Sequence, residues 1–375
     1  MTTALEQLAA TLAERGAELA HHEVVAGFDA AVDEMISVVE QRDDLEHYHA
    51  VPTISRFAEL MAAAAGRSSL REIVVNEVVA GGCAVNLGLG LIGLGVQLDC
   101  FAALGNPIHS AFAELETGAR NCISWSDEPG RTIALEFNDG KYMMTAVEQL
   151  AGFDADHVAS KLADGRFTKA CRSASALAFT NWALYPHMSA CWDLITRQVL
   201  NELEHRPWLY VDLVDPRSRS EADIREMLGI LTSFNGPCRA IFGGNLNEAN
   251  AIGGLLGIEP AGDEPEQVLR LVRELREALQ VDEVAIHCIK LAAVAASDGE
   301  ACAPGPYTPT PKRSTGAGDR FNAGYLAARM LDLEPEQRLL MAGATSGFFV
   351  RNARSASVTD LTNFVTSWAA GTLSD

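Results

Sequence analysis

The stretch Ser314-Thr315-Gly316-Ala317-Gly318-Asp319-Arg320-Phe321-Asn322-Ala323-Gly324 constrains the chain most, because its small residues and one carboxylate open an apolar helical run, Phe321 through Leu331. It reads as a helix start. Ser314 or Thr315 is placed to cap it, while Gly316 and Gly318 permit a tight turn and leave consecutive N–H groups uncovered by side chains. Such amides, at the positive end of a helix, form an anion hole. Asp319 is then oddly placed, since it would repel the anion that the amides attract. A general base beside a transferable phosphoryl group accounts for it. A glycine-rich helix start with a dipole-complementing acid is the plain alternative.

With 375 residues, 48% of them hydrophobic, the chain buries a large core and, with strands and helices alternating, suits one large α/β domain. Fifty acidic residues against 29 basic ones leave a formal charge of -21, which argues against nucleic acid or an anionic membrane surface as partner. A phosphate-bearing ligand therefore needs a local site. The eight cysteines include no C-x-x-C pair, so neither a zinc site nor a disulfide framework is suggested, and reduced thiols fit a cytoplasmic protein. Residues 1–22 carry Glu6, Glu14 and Glu18 among leucines without a basic start. They read as an amphipathic helical extension packed outside the core, not as a signal peptide.

Val24 to Asp29 has the look of a first buried strand, and Asp33 follows within a turn. Ligands gather at such strand ends, where Asp33 and the nearby Asp29 compete as binding residues; a solvated turn acid is the alternative. Met35 to Val39 and Ile73 to Val79 read as strands, with Leu45 to Ala65 mostly helical and interrupted by Pro52. Arg131 to Phe137 and Tyr142 to Thr145 form a hairpin across Asn138-Asp139-Gly140-Lys141. Gly81-Gly82-Cys83-Ala84-Val85-Asn86 opens a helix, Ala84 to Leu94; the paired glycines admit a ligand to the backbone, and Asn86, one turn in, points toward the same space.

Inside that helix Gly88-Leu89-Gly90-Leu91-Ile92-Gly93 matches the dinucleotide fingerprint G-x-G-x-x-G, but a helix already under way is the wrong context. Small residues for close helix packing explain it better than an NAD site. Ala176 to Thr180, Trp208 to Val214, Arg239 to Phe242 and Val284 to Lys290 read as further core strands. After the second of these, Asp215-Pro216-Arg217-Ser218-Arg219 is either a proline turn or a loop presenting Arg219. After the third, Asn245-Leu246-Asn247-Glu248 is either a capped helix start or a source of hard oxygen ligands for a divalent cation. No Walker-type P-loop is present.

Thr315 to Gly324 resembles the C-terminal signature of the ribokinase (pfkB) family of carbohydrate kinases, close to D-T-T-G-A-G-D-x-F-x-A-G, with Arg313 and Ser314 departing from it. Gly81 to Asn86 resembles the family's G-G-x-x-x-N, and Asn245 to Glu248 its N-x-x-E, in the family's order over about residues 24–358. Val284 to Lys290 departs most, lacking the usual T-L-G. The resemblance implies a doubly wound, mostly parallel sheet flanked by helices, under a small β lid. It places residues 23–375 in one kinase domain behind the 1–22 extension, with lid segments at about 34–80 and 125–147 that carry a homodimer contact. It implies an ATP-dependent phosphotransferase acting on a hydroxyl of a sugar or sugar-like molecule; a nucleoside kinase of the same fold and a non-catalytic sugar or nucleoside binder are the alternatives. By resemblance Asp319 is the base, and Gly316, Ala317 and Gly318 supply the anion hole. Asp33, Gly81, Gly82 and Asn86 would hold the acceptor. Asn245 and Glu248 would lie near the triphosphate, with Mg2+ reached from Glu248 through water. A monovalent cation belongs to the same pattern.

Overall fold

The computed structural model describes residues 2–374. The chain begins with helix α1, Thr2–Arg15, and a 3-10 segment, Gly16–His21, before strand β1, Glu23–Gly27. It then leaves for a lid: β2, Ala31–Arg42; β3, Tyr48–Ala50; α2, Ile54–Ala63; and β4, Ile73–Gly81. It returns through α3, Cys83–Gly93; β5, Gln97–Ala102; α4, Ala113–Gly118; and β6, Asn121–Ser124, and revisits the lid as the hairpin β7, Gly130–Phe137, and β8, Gly140–Ala146. Helices α5, Ala155–Leu162, and α6, Arg166–Ser173, lead to β9, Ala176–Thr180; then α7, Met188–Gln198, to β10, Trp208–Asp212; and α8, Glu221–Ser233, to β11, Arg239–Asn245. Helices α9, Leu246–Leu255, and α10, Pro265–Leu279, precede β12, Glu283–His287; β13, Leu291–Ala296; and β14, Gly299–Pro304. Three helices close the chain: α11, Ala317–Met330; α12, Pro335–Asn352; and α13, Val358–Ala369.

Among the described residues the large sheet runs β14-β13-β12-β11-β10-β9-β1-β5-β6. Every pairing from β12 to β6 is parallel, and β13 and β14 add an antiparallel edge. Strands β9 and β10 are buried along their whole length, as a sheet covered on both faces requires. Alternate β1 side chains enter different cores: Val25 joins the layer of α5 to α10, and Val24 and Ala26 join the layer of α1, α3, α11, α12 and α13. The doubly wound α/β expectation therefore holds.

Three local expectations need correcting. Leu5, Leu8 and Leu12 of α1 are at most 1% exposed and belong to the second core, and α1 packs on α13, so this helix is not outside the core. Residues 45 to 65 are not one broken helix: β3 occupies 48–50, Pro52 lies ahead of α2, and the Thr53 hydroxyl caps α2 by accepting from Arg56 N. Asp33 stands on β2 and not in a turn, because β2 begins at Ala31 and pairs immediately with β4 and β7.

The three glycines of the misleading fingerprint serve packing. A Cβ on Gly88 would lie 2.7 Å from Leu98 Cδ2, on Gly90 2.7 Å from Ala323 Cβ, and on Gly93 2.6 Å from the Ala356 carbonyl oxygen. They let α3 approach β5, α11 and the loop before α13. Arg219 is also structural: its guanidinium lies 4.3 Å over the Trp182 ring and donates to the carbonyl oxygens of Tyr185 and Pro186.

Candidate active site

The parallel strands end on one side at Gly27, Thr180, Asp212, Asn245 and His287, and the glycine turns gather there. Gly82 is the N-cap of α3 at φ +96°, with no cap from its own side chain. The missing cap comes from Asp29, whose carboxylate accepts from Cys83 N at 2.6 Å and Ala84 N at 2.9 Å. Thr180 Oγ1 and Asn181 Nδ2 donate to the same group at 2.7 and 3.0 Å. Four donors leave Asp29 little capacity for a ligand. Asp33 reaches in from the lid, buried, and a Cβ on Gly81 would fall 2.4 Å from its carboxylate. Burial pushes the Asp33 carboxyl upward, while a hydrogen bond from Thr132 and the charge of Arg313 oppose the shift.

Gly316 is the N-cap of α11 at φ +84°, and neither Ser314 nor Thr315 caps the helix with its side chain. The first turn is therefore left for a ligand. The Ala317 N–H already donates to the Ser314 carbonyl at 3.1 Å, so Ala317 is a poorer anion-hole donor than expected. Gly316, Gly318 and Asp319 N–H have no backbone acceptor among the described residues. The Asn86 carboxamide lies against Gly316, where a Cβ would be 3.0 Å from Asn86 Cγ. Asp319, half-buried, meets the Cys83 thiol. Its carboxyl is driven well above the usual range, first by burial and then by Asp212 and Asp29, with Arg320 pulling it back. Thus Asp33 meets Gly81, Asn86 meets Gly316, and Asp319 meets Cys83, the residue after Gly82.

Asn245 and Glu248 form a capping box at the start of α9: Asn245 Oδ1 accepts from Glu248 N at 3.1 Å, and Glu248 Oε2 accepts from Asn245 N at 2.9 Å. The capped-helix reading is therefore realised. Glu248 also faces Asp212, an acid without a role assigned from the sequence; burial pushes both carboxyls upward, Glu248 further, with the charge of Asp212 adding to Glu248 and that of Asp29 adding to Asp212 against the hydrogen bonds from Val214 and Asn322. Asp212 is held by Asn322 Nδ2 at 2.7 Å and Val214 N at 2.9 Å, and Tyr210 Oη donates to Asn322 Oδ1 at 2.7 Å. The position of Asp212 at the end of β10, opposite Gly243 of β11, was the available signal.

No group of three or more His, Cys, Asp or Glu side chains among the described residues is arranged to hold a metal. The buried carboxyls of Asp212 and Glu248, both raised, would suit a divalent ion that keeps its waters and takes further oxygens from phosphates. Beside them a cavity of about 880 Å³ is lined by Asn245, His287, Lys290, Tyr307, Ala317 and Gly318, among others. Its volume suits a nucleotide-sized ligand. His287 packs 5.1 Å from the Phe321 ring and borders Gly318; burial lowers it to about 4, so it is a neutral wall at pH 7.

A family model for prokaryotic ketohexokinase matches residues 2–368. The ketohexokinase of Haloferax volcanii is 26% identical over 348 residues, covering 92% of this chain and 91% of that one. Thermotoga maritima ribokinase superposes with a TM-score of 0.62 at 14% identity, covering 92% and 98% of the two chains. E. coli ribokinase II, solved in complex with ATP and Mg2+, gives 0.60 at 17% identity, covering 92% and 98%. The family model and the Haloferax relative disfavour the nucleoside-kinase and non-catalytic alternatives, and the two solved structures show the fold. The chain belongs to the prokaryotic ketohexokinase family and is a sugar kinase on the ribokinase fold.

Proposed function

We propose that the chain transfers the γ-phosphoryl group of ATP to a hydroxyl of a ketohexose, with Asp319 as general base. The observation that carries this reading is the meeting of Asn86 with Gly316 and of Cys83 with Asp319, which joins the acceptor-side turn to the open first turn of α11. The triphosphate enters from the 880 Å³ cavity, and the Gly316, Gly318 and Asp319 amides receive the charge of the moving phosphoryl group. Asp33 and Asn86 hold sugar oxygens across the Gly81-Gly82 turn. A panel of ketohexoses, aldoses and nucleosides with ATP, followed as ADP release, should give its highest kcat/KM with a ketohexose. Higher turnover with a nucleoside would overturn the assignment.

Glu248, acting through water, is proposed to hold Mg2+ with Asn245 alongside; when bound, the ion would neutralise triphosphate charge. Glu248→Gln should move the Mg2+ requirement to higher concentration, and indifference across a metal titration would remove the role. The same substitution tests the raised carboxyl. An acid whose pKa rises on folding contributes full stability below its unfolded value of about 4.5 and loses it as pH climbs toward the folded value. Without metal, the melting temperature should fall as pH rises from about 5 to about 8, and Glu248→Gln should flatten that slope. Equal slopes would mean that Glu248 is not desolvated in the folded protein.

A homodimer is proposed through the lid, because Ile73, Val75 and Val78 of β4 and Tyr142, Met143 and Met144 of β8 are 43 to 51% exposed. Such apolar side chains exposed on two edge strands of one small sheet invite a matching surface. Light scattering should give twice the 40.1 kDa chain mass, and Val78→Glu with Met143→Glu should give the monomer. A monomeric parent protein at tens of micromolar would rule the dimer out. Among the described residues no helix is long and apolar enough to cross a membrane. A cytoplasmic site of action is proposed on the cysteine pattern, and a monovalent cation near residues 352–357 on the family likeness alone.

A further inference from the structure

Arg320 follows Asp319, and its side chain does not reach solvent: only 4% of it is exposed. The stem passes over Gly90, where a Cβ would stand 3.0 Å from Arg320 Cδ. The guanidinium then lies 4.7 Å over the Phe349 ring, and Nε donates to Ser355 Oγ at 3.0 Å. Nη1 donates both to the Asn86 carbonyl oxygen and, at 3.4 Å, to Asn86 Oδ1. Asp319, Arg313 and Glu114 are the charged groups around it, and the guanidinium is neutralised by no carboxylate within ion-pair distance among the described residues. A guanidinium has donors only, so the carboxamide atom that faces it must be the oxygen. Asn86 Nδ2 is thereby turned away from Arg320, and it has no protein acceptor among the described residues.

We infer that Arg320 is a positioning residue that locks the Asn86 carboxamide in one orientation and fixes it as a hydrogen-bond donor to an oxygen of the sugar acceptor. The glycine at position 90, in the motif that mimics a dinucleotide fingerprint, makes room for the arginine that does this. The inference rests on the assignment of Asn86 to the acceptor site.

A double-mutant cycle with fructose as acceptor tests it. Asn86→Ala should raise the fructose KM roughly two- to tenfold, the loss of one such bond, with the ATP KM unchanged. Arg320→Met should raise the fructose KM by a similar factor, and adding it to Asn86→Ala should change that KM less than twofold further, because the residue it orients is gone. Arg320→Met raising the KM as much in the Asn86→Ala background as in the parent would overturn the inference, and so would no effect in the parent. An unchanged fructose KM in Asn86→Ala alone would instead overturn the acceptor-site assignment. Thermal melts establish that each variant is folded. If Arg320→Met does not fold, Ser355→Ala removes one anchor of the guanidinium and should show a smaller rise with the same non-additivity; additivity there overturns the inference equally.

Discussion

Asp319→Asn should fold, bind both substrates and turn over about a hundred- to ten-thousand-fold more slowly than the parent, the range typical of a lost general base. Asparagine keeps the shape of the side chain but cannot accept the hydroxyl proton. No cap is lost, because Gly316 and not Asp319 is the N-cap of α11. The carboxylate is desolvated and sits near Asp212 and Asp29, so its removal relieves repulsion, and the melting temperature at pH 7 should be equal or higher. The anion-hole amides are backbone groups and survive, so nucleotide affinity should hold or tighten. A rate within a few-fold of the parent on the best ketohexose would leave Asp319 as a dipole-complementing acid and remove the centre of the proposed mechanism.

Glu283→Ala should lower stability by about 3 to 5 kcal/mol without touching catalysis at 25 °C, because it breaks a buried ion cluster from one side. Glu283 and Arg338 are both 0% exposed. Glu283 Oε1 lies 3.0 Å from Arg329 Nε and 3.2 Å from Arg338 Nη1, and Tyr325 Oη donates to Oε2 at 2.5 Å. Without the acid, Arg338 keeps only Asp298 as an ion-pair partner among the described residues, and the Tyr325 hydroxyl loses its acceptor. The site is at the amino end of β12, the opposite end from His287, which is why kcat and KM should stay near parental values. For a chain of this size the loss corresponds to a fall in melting temperature of about 5 °C. A melting temperature within about 1 °C of the parent would mean that the cluster contributes nothing net.

The elements that were legible in the sequence carry local signals. Glycines at 82 and 316 announce backbone that other residues avoid, the short apolar runs announce buried strands, and the two-residue turn after Phe137 announces its hairpin. What could not be read depends on residues far apart in the chain. Asp29 caps a helix 54 residues later, which occupies its carboxylate, and no pattern around Val24 to Asp29 foretells it. Arg320 meets Asn86 across 234 positions, and in the signature its place is simply variable. The leucines of α1 have helical spacing, but whether that face meets solvent or α13 is settled only by the second core. Asp212 is legible as a strand-end acid, but its neighbourhood with Glu248 emerges only once parallel pairing sets it beside Gly243 of β11.

The close approach of α3 and α11, with Gly90 against Ala323, has a mechanical meaning. Asn86 and Asp319 ride on two helices clamped to each other and to one sheet, whereas Asp33 belongs to a second sheet. In the proposed mechanism the base and the donor amide therefore act as a fixed anvil whose spacing does not depend on what the lid does. On that proposal, a lid motion would alter one grip on the sugar and the access of water and leave the line of attack unchanged. Substitutions in the lid should therefore be felt in capture and release of sugar, and substitutions between α3 and α11 in the chemical step itself.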